Sequence, residues 1–139
     1  FGLLGAEANK ISPGKRPLSS MSPTIVMKNN ELFFTTGSPG GSRIISAVLQ
    51  SIINIIDFEM DLEQATFAKR VHHQWQPDIL EIELSVDDKI RNELEAMGYE
   101  IRTRKPLTCI QTIMYKNKMY SGYGDFRRPD AFASGNIND

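Results

Sequence analysis

The 139-residue sequence predicts an α+β layered fold, and three observations carry that prediction. Candidate elements follow the order β-β-α-α-β-α-β-β-β, which lacks the regular alternation of a doubly wound parallel sheet. Strand-like segments are joined by Asn-containing turns at two places, as in hairpins. One long helical stretch is apolar over a wide face and needs a layer to pack against.

The elements follow from local chemistry. Residues 1–23 are rich in Gly, Ser and Pro, with Pro13, Pro17 and Pro23 spaced along them. Proline removes a backbone donor and fixes φ, so this stretch reads as an ordered loop. A strand is expected at residues 24–28, a turn at Asn29-Asn30 and a second strand at 31–36. The glycine-rich stretch 37–42 breaks that strand, and a helix follows from Arg43 to Ile56 with Ser42 as N-cap. Ile44, Ile45, Val48, Leu49, Ile52, Ile53, Ile55 and Ile56 give it an apolar face wide enough for deep packing. Asp61 and Gln64 have the spacing of a capping box for a short helix to about Lys69. Alternating apolar and acidic residues at 79–84 predict a half-exposed strand. Ser85 is the expected cap of a helix through Met97, which Gly98 stops. Strands are expected at 99–104, 108–115 and 119–123, the last two joined through Lys116-Asn117-Lys118 by a loop longer than the tightest kind. The tail from Gly124 reads as either an ordered loop or a frayed end, with Arg127-Arg128-Pro129-Asp130 as a salt-bridged turn that pins it.

Composition narrows the function classes. The net charge is −1, which argues against a nucleic-acid footprint. A single cysteine excludes an internal disulfide and a Cys-based zinc site, and Cys109 reads as an inert core thiol. No apolar run reaches the roughly 18–20 residues that span a bilayer. The first residue is Phe rather than Met and no leader is visible, so a fragment of a longer polypeptide is expected. Charge is uneven: net +3 over residues 1–56, −8 over 57–100 and +4 over 101–139. The acidic middle reads as a solvated face or, alternatively, a partner-binding patch.

Two segments could carry chemistry. In the first, Ser19, Ser20 and Ser22 lie between prolines, either an ordinary turn or a stiffened loop whose hydroxyls hold an anion. In the second, Thr36-Gly37-Ser38-Pro39-Gly40-Gly41-Ser42-Arg43 joins a strand to a helix. Adjacent glycines let a backbone approach a ligand and aim N–H groups at it, and the helix N-terminus adds a favourable field. The alternative is a tight strand–helix turn. The spacing is neither that of a Walker A loop nor that of a dinucleotide fingerprint. His72 and His73 are adjacent and would face opposite sides of a strand, which makes them a poor metal pair and suits structural or surface roles. Trp75 reads as a packing anchor.

The run from Pro13 to Thr24, PGKRPLSSMSPT, and the run from Thr36 to Ile44, TGSPGGSRI, closely resemble the gamma-glutamyltransferase family, also called gamma-glutamyl transpeptidase or glutathione hydrolase. RVHHQWQPD from Arg70 and RRPD from Arg127 look like further family segments. The resemblance covers nearly the whole chain, although Phe126 stands where Pro is common before the Arg pair.

The resemblance implies an N-terminal-nucleophile hydrolase with a four-layer αββα core. Family precursors cleave themselves into a large and a small subunit, and the new N-terminal Thr is the nucleophile. This chain resembles the C-terminal portion of the small subunit, residues 1–139, without the nucleophile segment. By itself it is expected to be inactive. The implied partners are the large subunit and the N-terminal part of the small subunit of the same precursor. Ser19 and Ser20 match serines that bind the α-carboxylate of the γ-glutamyl group. Gly40 and Gly41 match glycines whose N–H groups form the oxyanion hole. Glutathione or another γ-glutamyl compound is the implied donor, water or an amino acid or peptide the acceptor, and no metal or organic cofactor is needed. Bacterial members imply a periplasmic or secreted location. Two alternatives stay open: a related acylase acting on cephalosporin side chains or poly-γ-glutamate, and a non-catalytic binding or assembly homologue.

Overall fold

The computed structural model describes residues 5–135, and it is α+β. A 3-10 turn at Glu7–Asn9 lies within the opening loop. Strands β1 (Thr24–Lys28) and β2 (Glu31–Gly37) precede helices α1 (Arg43–Ile56) and α2 (Leu62–Phe67). Then come β3 (Val71–His73), β4 (Leu80–Glu83), α3 (Asp88–Ala96), β5 (Ile101–Arg104), β6 (Gln111–Lys116) and β7 (Met119–Gly122).

The strands form two sheets. One has the order β1-β2-β6-β7 and is antiparallel throughout. Both of its hairpins close on two residues, Asn29-Asn30 and Asn117-Lys118, all with positive φ. Left-handed residues at both central positions match the twist of the flanking strands. The second hairpin is therefore tighter than the sequence suggests, because Lys116 pairs with Met119. The other sheet has the order β3-β4-β5, with β3–β4 antiparallel and β4–β5 parallel across α3.

Helices α1 and α2 cover one face of the four-stranded sheet. Phe34 of β2 packs with Ile55, Leu62 and Ala65, while Ile44, Ala47 and Val48 enclose Ile110. The opposite face carries Ile25 and Ile113, in register either side of Thr35 and both largely exposed. A third cluster, Leu80, Ile82 and Val86, is closed by Leu94 of α3 and Ile101.

The Asp61–Gln64 capping box is present in both directions: Gln64 N–H donates to Asp61 Oδ1 at 2.7 Å, and Asp61 N–H to Gln64 Oε1 at 3.2 Å. Other local expectations change. Ser42 takes a helical conformation and makes no cap bond, and α3 is capped by Asp87 rather than Ser85. Helix α2 stops at Phe67, where Ala68 leaves the helical conformation and Arg70 beyond it is buried, and β3 is a strand the pattern did not reveal. All four residues of β4 are buried, so its two glutamates do not face water. The acidic middle of the chain is thus only partly a solvated face. Trp75 is 68% exposed at positive φ and anchors no core. Helix α1 is not deeply packed all round, since Ile45, Leu49 and Ile56 lie about half exposed. Cys109 is buried as a free thiol, and His72 and His73 do face opposite sides of β3.

Candidate active site

The serine loop before β1 is ordered by its own short bonds. Met21 N–H donates to Ser19 Oγ at 3.2 Å, Ser22 Oγ donates to Ser20 carbonyl at 3.2 Å, and Thr24 Oγ1 to Ser22 carbonyl at 3.1 Å. Ser20 Oγ donates to the Gly41 carbonyl at 2.7 Å. That bond joins the two segments singled out in the sequence, 21 positions apart.

The glycine loop runs from the end of β2 into α1. Gly40 has φ +142° and Gly41 φ +61°, conformations that L side chains rarely adopt. Their carbonyls accept from Arg43 N–H and Ile44 N–H, each at 3.2 Å, and so form the entry to α1. Among the described residues, neither the Gly40 nor the Gly41 N–H has an acceptor. Two adjacent free donors at a helix N-terminus suit a developing negative charge.

The glycine loop is braced from behind by Thr108. Its Oγ1 bonds to Ser38 Oγ and to the Pro39 carbonyl. A methyl group on Gly40 would come within 2.9 Å of that oxygen and 3.1 Å of Thr108 Cβ. The Thr108 carbonyl accepts from Arg70 Nη1 at 3.1 Å.

Arg70 belongs to a buried ionic hub with Glu83, Asp125 and Arg127. Arg70 Nη1 lies 2.9 Å from Asp125 Oδ2, and Arg127 grips Glu83 through Nε and Nη2, both at 2.7 Å. Asp125 also accepts from the Ile110 and Arg127 N–H groups at 2.8 and 3.1 Å. Burial would raise the Asp125 carboxyl, but the Ile110 N–H and the Arg70 charge outweigh it and hold the group below its ordinary value. The expected tail turn is thus real at Arg127, which is buried, whereas Arg128 and Asp130 are exposed. Thr108, Arg70, Glu83 and Asp125 escaped the sequence reading because three separated segments assemble the hub and Thr108 joins it from a fourth.

A cleft of about 390 Å³ opens beside Ser20, lined also by Ser42, Ser46, His72 and Trp75. Ser46 Oγ lies 2.8 Å from His72 Nδ1, and burial pushes His72 below its ordinary imidazole value. A smaller cleft of about 180 Å³ continues past His72 to Arg43, Glu81, Arg102 and Arg104. Burial would raise Glu81, yet bonds from Arg43 at 2.7 Å and Arg104 at 2.9 Å bring it below the usual carboxylate range. Among the described residues, no cluster of His, Cys, Asp and Glu could hold a metal ion.

Fold and site together define an α+β protein in which a serine loop and a glycine loop meet at the N-terminus of α1. The chain belongs to the gamma-glutamyltranspeptidase family, whose model matches residues 1–135. It is 44% identical over 137 residues to a glutathione hydrolase proenzyme of Escherichia coli, covering 97% of this chain and 23% of that protein. It therefore spans less than a quarter of that relative. A gamma-glutamyltranspeptidase of Pseudomonas nitroreducens, solved in complex with L-DON, superposes with a TM-score of 0.88 at 37% identity, covering 99% of this chain and 72% of that one. A threonine-to-alanine variant of the Helicobacter pylori enzyme gives 0.85 at 46% identity, covering 91% and 70%.

Proposed function

We propose that this chain is the C-terminal portion of the small subunit of a γ-glutamyl hydrolase or transferase, and that it supplies part of the acyl-transfer site. The observation that carries this reading is the pair of Gly40 and Gly41 N–H groups, which have no acceptor among the described residues and sit on a loop held by the Ser20–Gly41 bond. The nucleophilic Thr comes from the preceding part of the small subunit, and the large subunit completes the site. The Thr hydroxyl attacks the γ-amide carbonyl, with its own α-amine as base. The oxyanion then sits on Gly40 and Gly41. The amine departs, cysteinylglycine when the donor is glutathione, and leaves a γ-glutamyl ester. Water or an acceptor amine resolves that ester. The glutathione hydrolase relatives favour glutathione as donor. By resemblance to bacterial members, the proposed location of the mature protein is the periplasm or the medium.

The two serines divide the work. Ser20 spends its proton on Gly41 and sets the glycine loop, whereas Ser19 accepts from Met21 and keeps its own proton for the substrate α-carboxylate. The test is release of nitroaniline from a γ-glutamyl nitroanilide by the full-length polypeptide. Release is expected. Its absence from a folded protein overturns the reading in favour of another acyl substrate or a non-catalytic homologue. Ser19→Ala should raise KM with kcat nearly unchanged. A hydrogen bond to a charged group contributes about 1.5–3 kcal/mol, a loss of roughly 10- to 100-fold in kcat/KM. Ser20→Ala should also lower kcat, because the glycine loop loses its tether.

A further inference from the structure

The outer face of α1 has no partner among the described residues, although its chemistry demands one. Ile45, Leu49, Ile53 and Ile56 recur at spacings of four, four and three, so they form a single stripe along the helix. Ile45, Leu49 and Ile56 are 55%, 54% and 46% exposed. The opposite stripe, Ile44, Ala47, Val48, Ser51 and Ile55, is the one buried within this chain. Over its 14 residues the helix carries one charge, Arg43, and that residue is committed to Glu81 at 2.7 Å. A solvated helix face normally bears charged residues, and this one bears none.

We infer that this stripe is the docking surface for an apolar helix from the remainder of the same precursor. The row at positions 45, 49 and 53 is an i±4 ridge, the surface that packs into the groove of a second helix. The occupant follows from length: the chain spans 23% of its Escherichia coli relative, so most of such a polypeptide lies outside these residues and is made with them in equal amount. The stripe also runs to the cleft beside Ser20, because Ile45 lines that cleft. Docking there would close one wall of the candidate site as the subunits assemble. The inference rests on the subunit placement proposed above and adds to it the contact surface.

Leu49→Cys and Ile45→Cys in the full-length protein test it, with Glu95→Cys on the exposed side of α3 as the labelled control. In the native protein, both cysteines should react with a maleimide at least about tenfold more slowly than the control, and at the control's rate after denaturation. A benzophenone side chain at position 49 should cross-link to a peptide of the same precursor outside residues 1–139. Prompt native labelling overturns the inference, as does a cross-link to residues 1–139 of a second copy. Nitroaniline release is measured on the same preparations. An active protein with an unprotected position 49 sinks the docking surface alone, and an inactive protein with a protected one sinks the catalytic reading alone.

Discussion

Gly40→Ala in the full-length protein is expected to lower kcat for a γ-glutamyl nitroanilide by about 10²–10³-fold, the usual loss of one oxyanion donor. Two effects act together. At φ +142° an alanine is strained whatever the space around it, at a cost of order 1–3 kcal/mol. Its methyl group would also stand 2.9 Å from Thr108 Oγ1, an oxygen already committed to Ser38 and Pro39. The loop must move, and its N–H groups then aim elsewhere. The strain is also a loss of stability, so the thermal midpoint should fall modestly even though Gly40 lies outside the core clusters. Thr108→Ala in the same background removes the 2.9 Å contact with Oγ1 but leaves the 3.1 Å contact with Cβ and the strain, so it should restore only part of the rate. An unchanged kcat in Gly40→Ala would remove the oxyanion role from this loop.

Asp125→Ala is expected to act on stability first. The Asp125 side chain is fully buried and compensates two guanidinium groups, Arg70 and Arg127. Breaking one member of a buried ionic network typically costs about 3–5 kcal/mol, because the remaining charges stay desolvated. The thermal midpoint of the full-length protein should fall accordingly, and Asp125→Asn should also lose stability through the missing charge. The pH dependence has a definite sign. Asp125 is held below its ordinary value in the fold, so in acid the unfolded chain takes up its proton first. Its stabilising contribution is complete above the unfolded carboxylate value of about 4 and is lost as pH falls towards the lower folded value. The wild-type midpoint should therefore drop more steeply below pH 4 than that of Asp125→Ala. Parallel acid limbs would show that another carboxylate governs the effect.

What the sequence revealed was local. Asn29 and Asn117 announced their hairpins because asparagine tolerates left-handed backbone. Asp61 and Gln64 announced a helix start because both halves of a capping box lie within one turn. The two donor loops were visible for the same reason, since prolines, serines and glycines act on their own backbone. The structure adds that Ser20 and Gly41 touch. Features settled by distant partners were not visible. Glu81 and Glu83 looked like the wet face of β4 until arginines from three other segments neutralised them. Strand β3 is three residues long and exists because β4 pairs with it. Trp75 was misjudged because the turn that holds it outward is set by its positive φ, which no propensity favours for a large side chain.

The sheet order also makes one sheet depend on the other. Strand β2 pairs with β6, so residues 38–110 must be looped out before the four-stranded sheet can close. Closing so long a loop is the slow kind of event in folding. The three-stranded sheet lies wholly inside that loop, and its pairings join neighbours in the chain. Once those pairings form, Glu83 and Arg70 bring Leu107 and Thr108 in beside them, and the entropic distance between β2 and β6 shrinks. Thr108 then meets Ser38 and Pro39 as β2 and β6 come together. The glycine loop therefore takes its brace from a residue that the three-stranded sheet helps to hold, so its shape depends on both sheets at once.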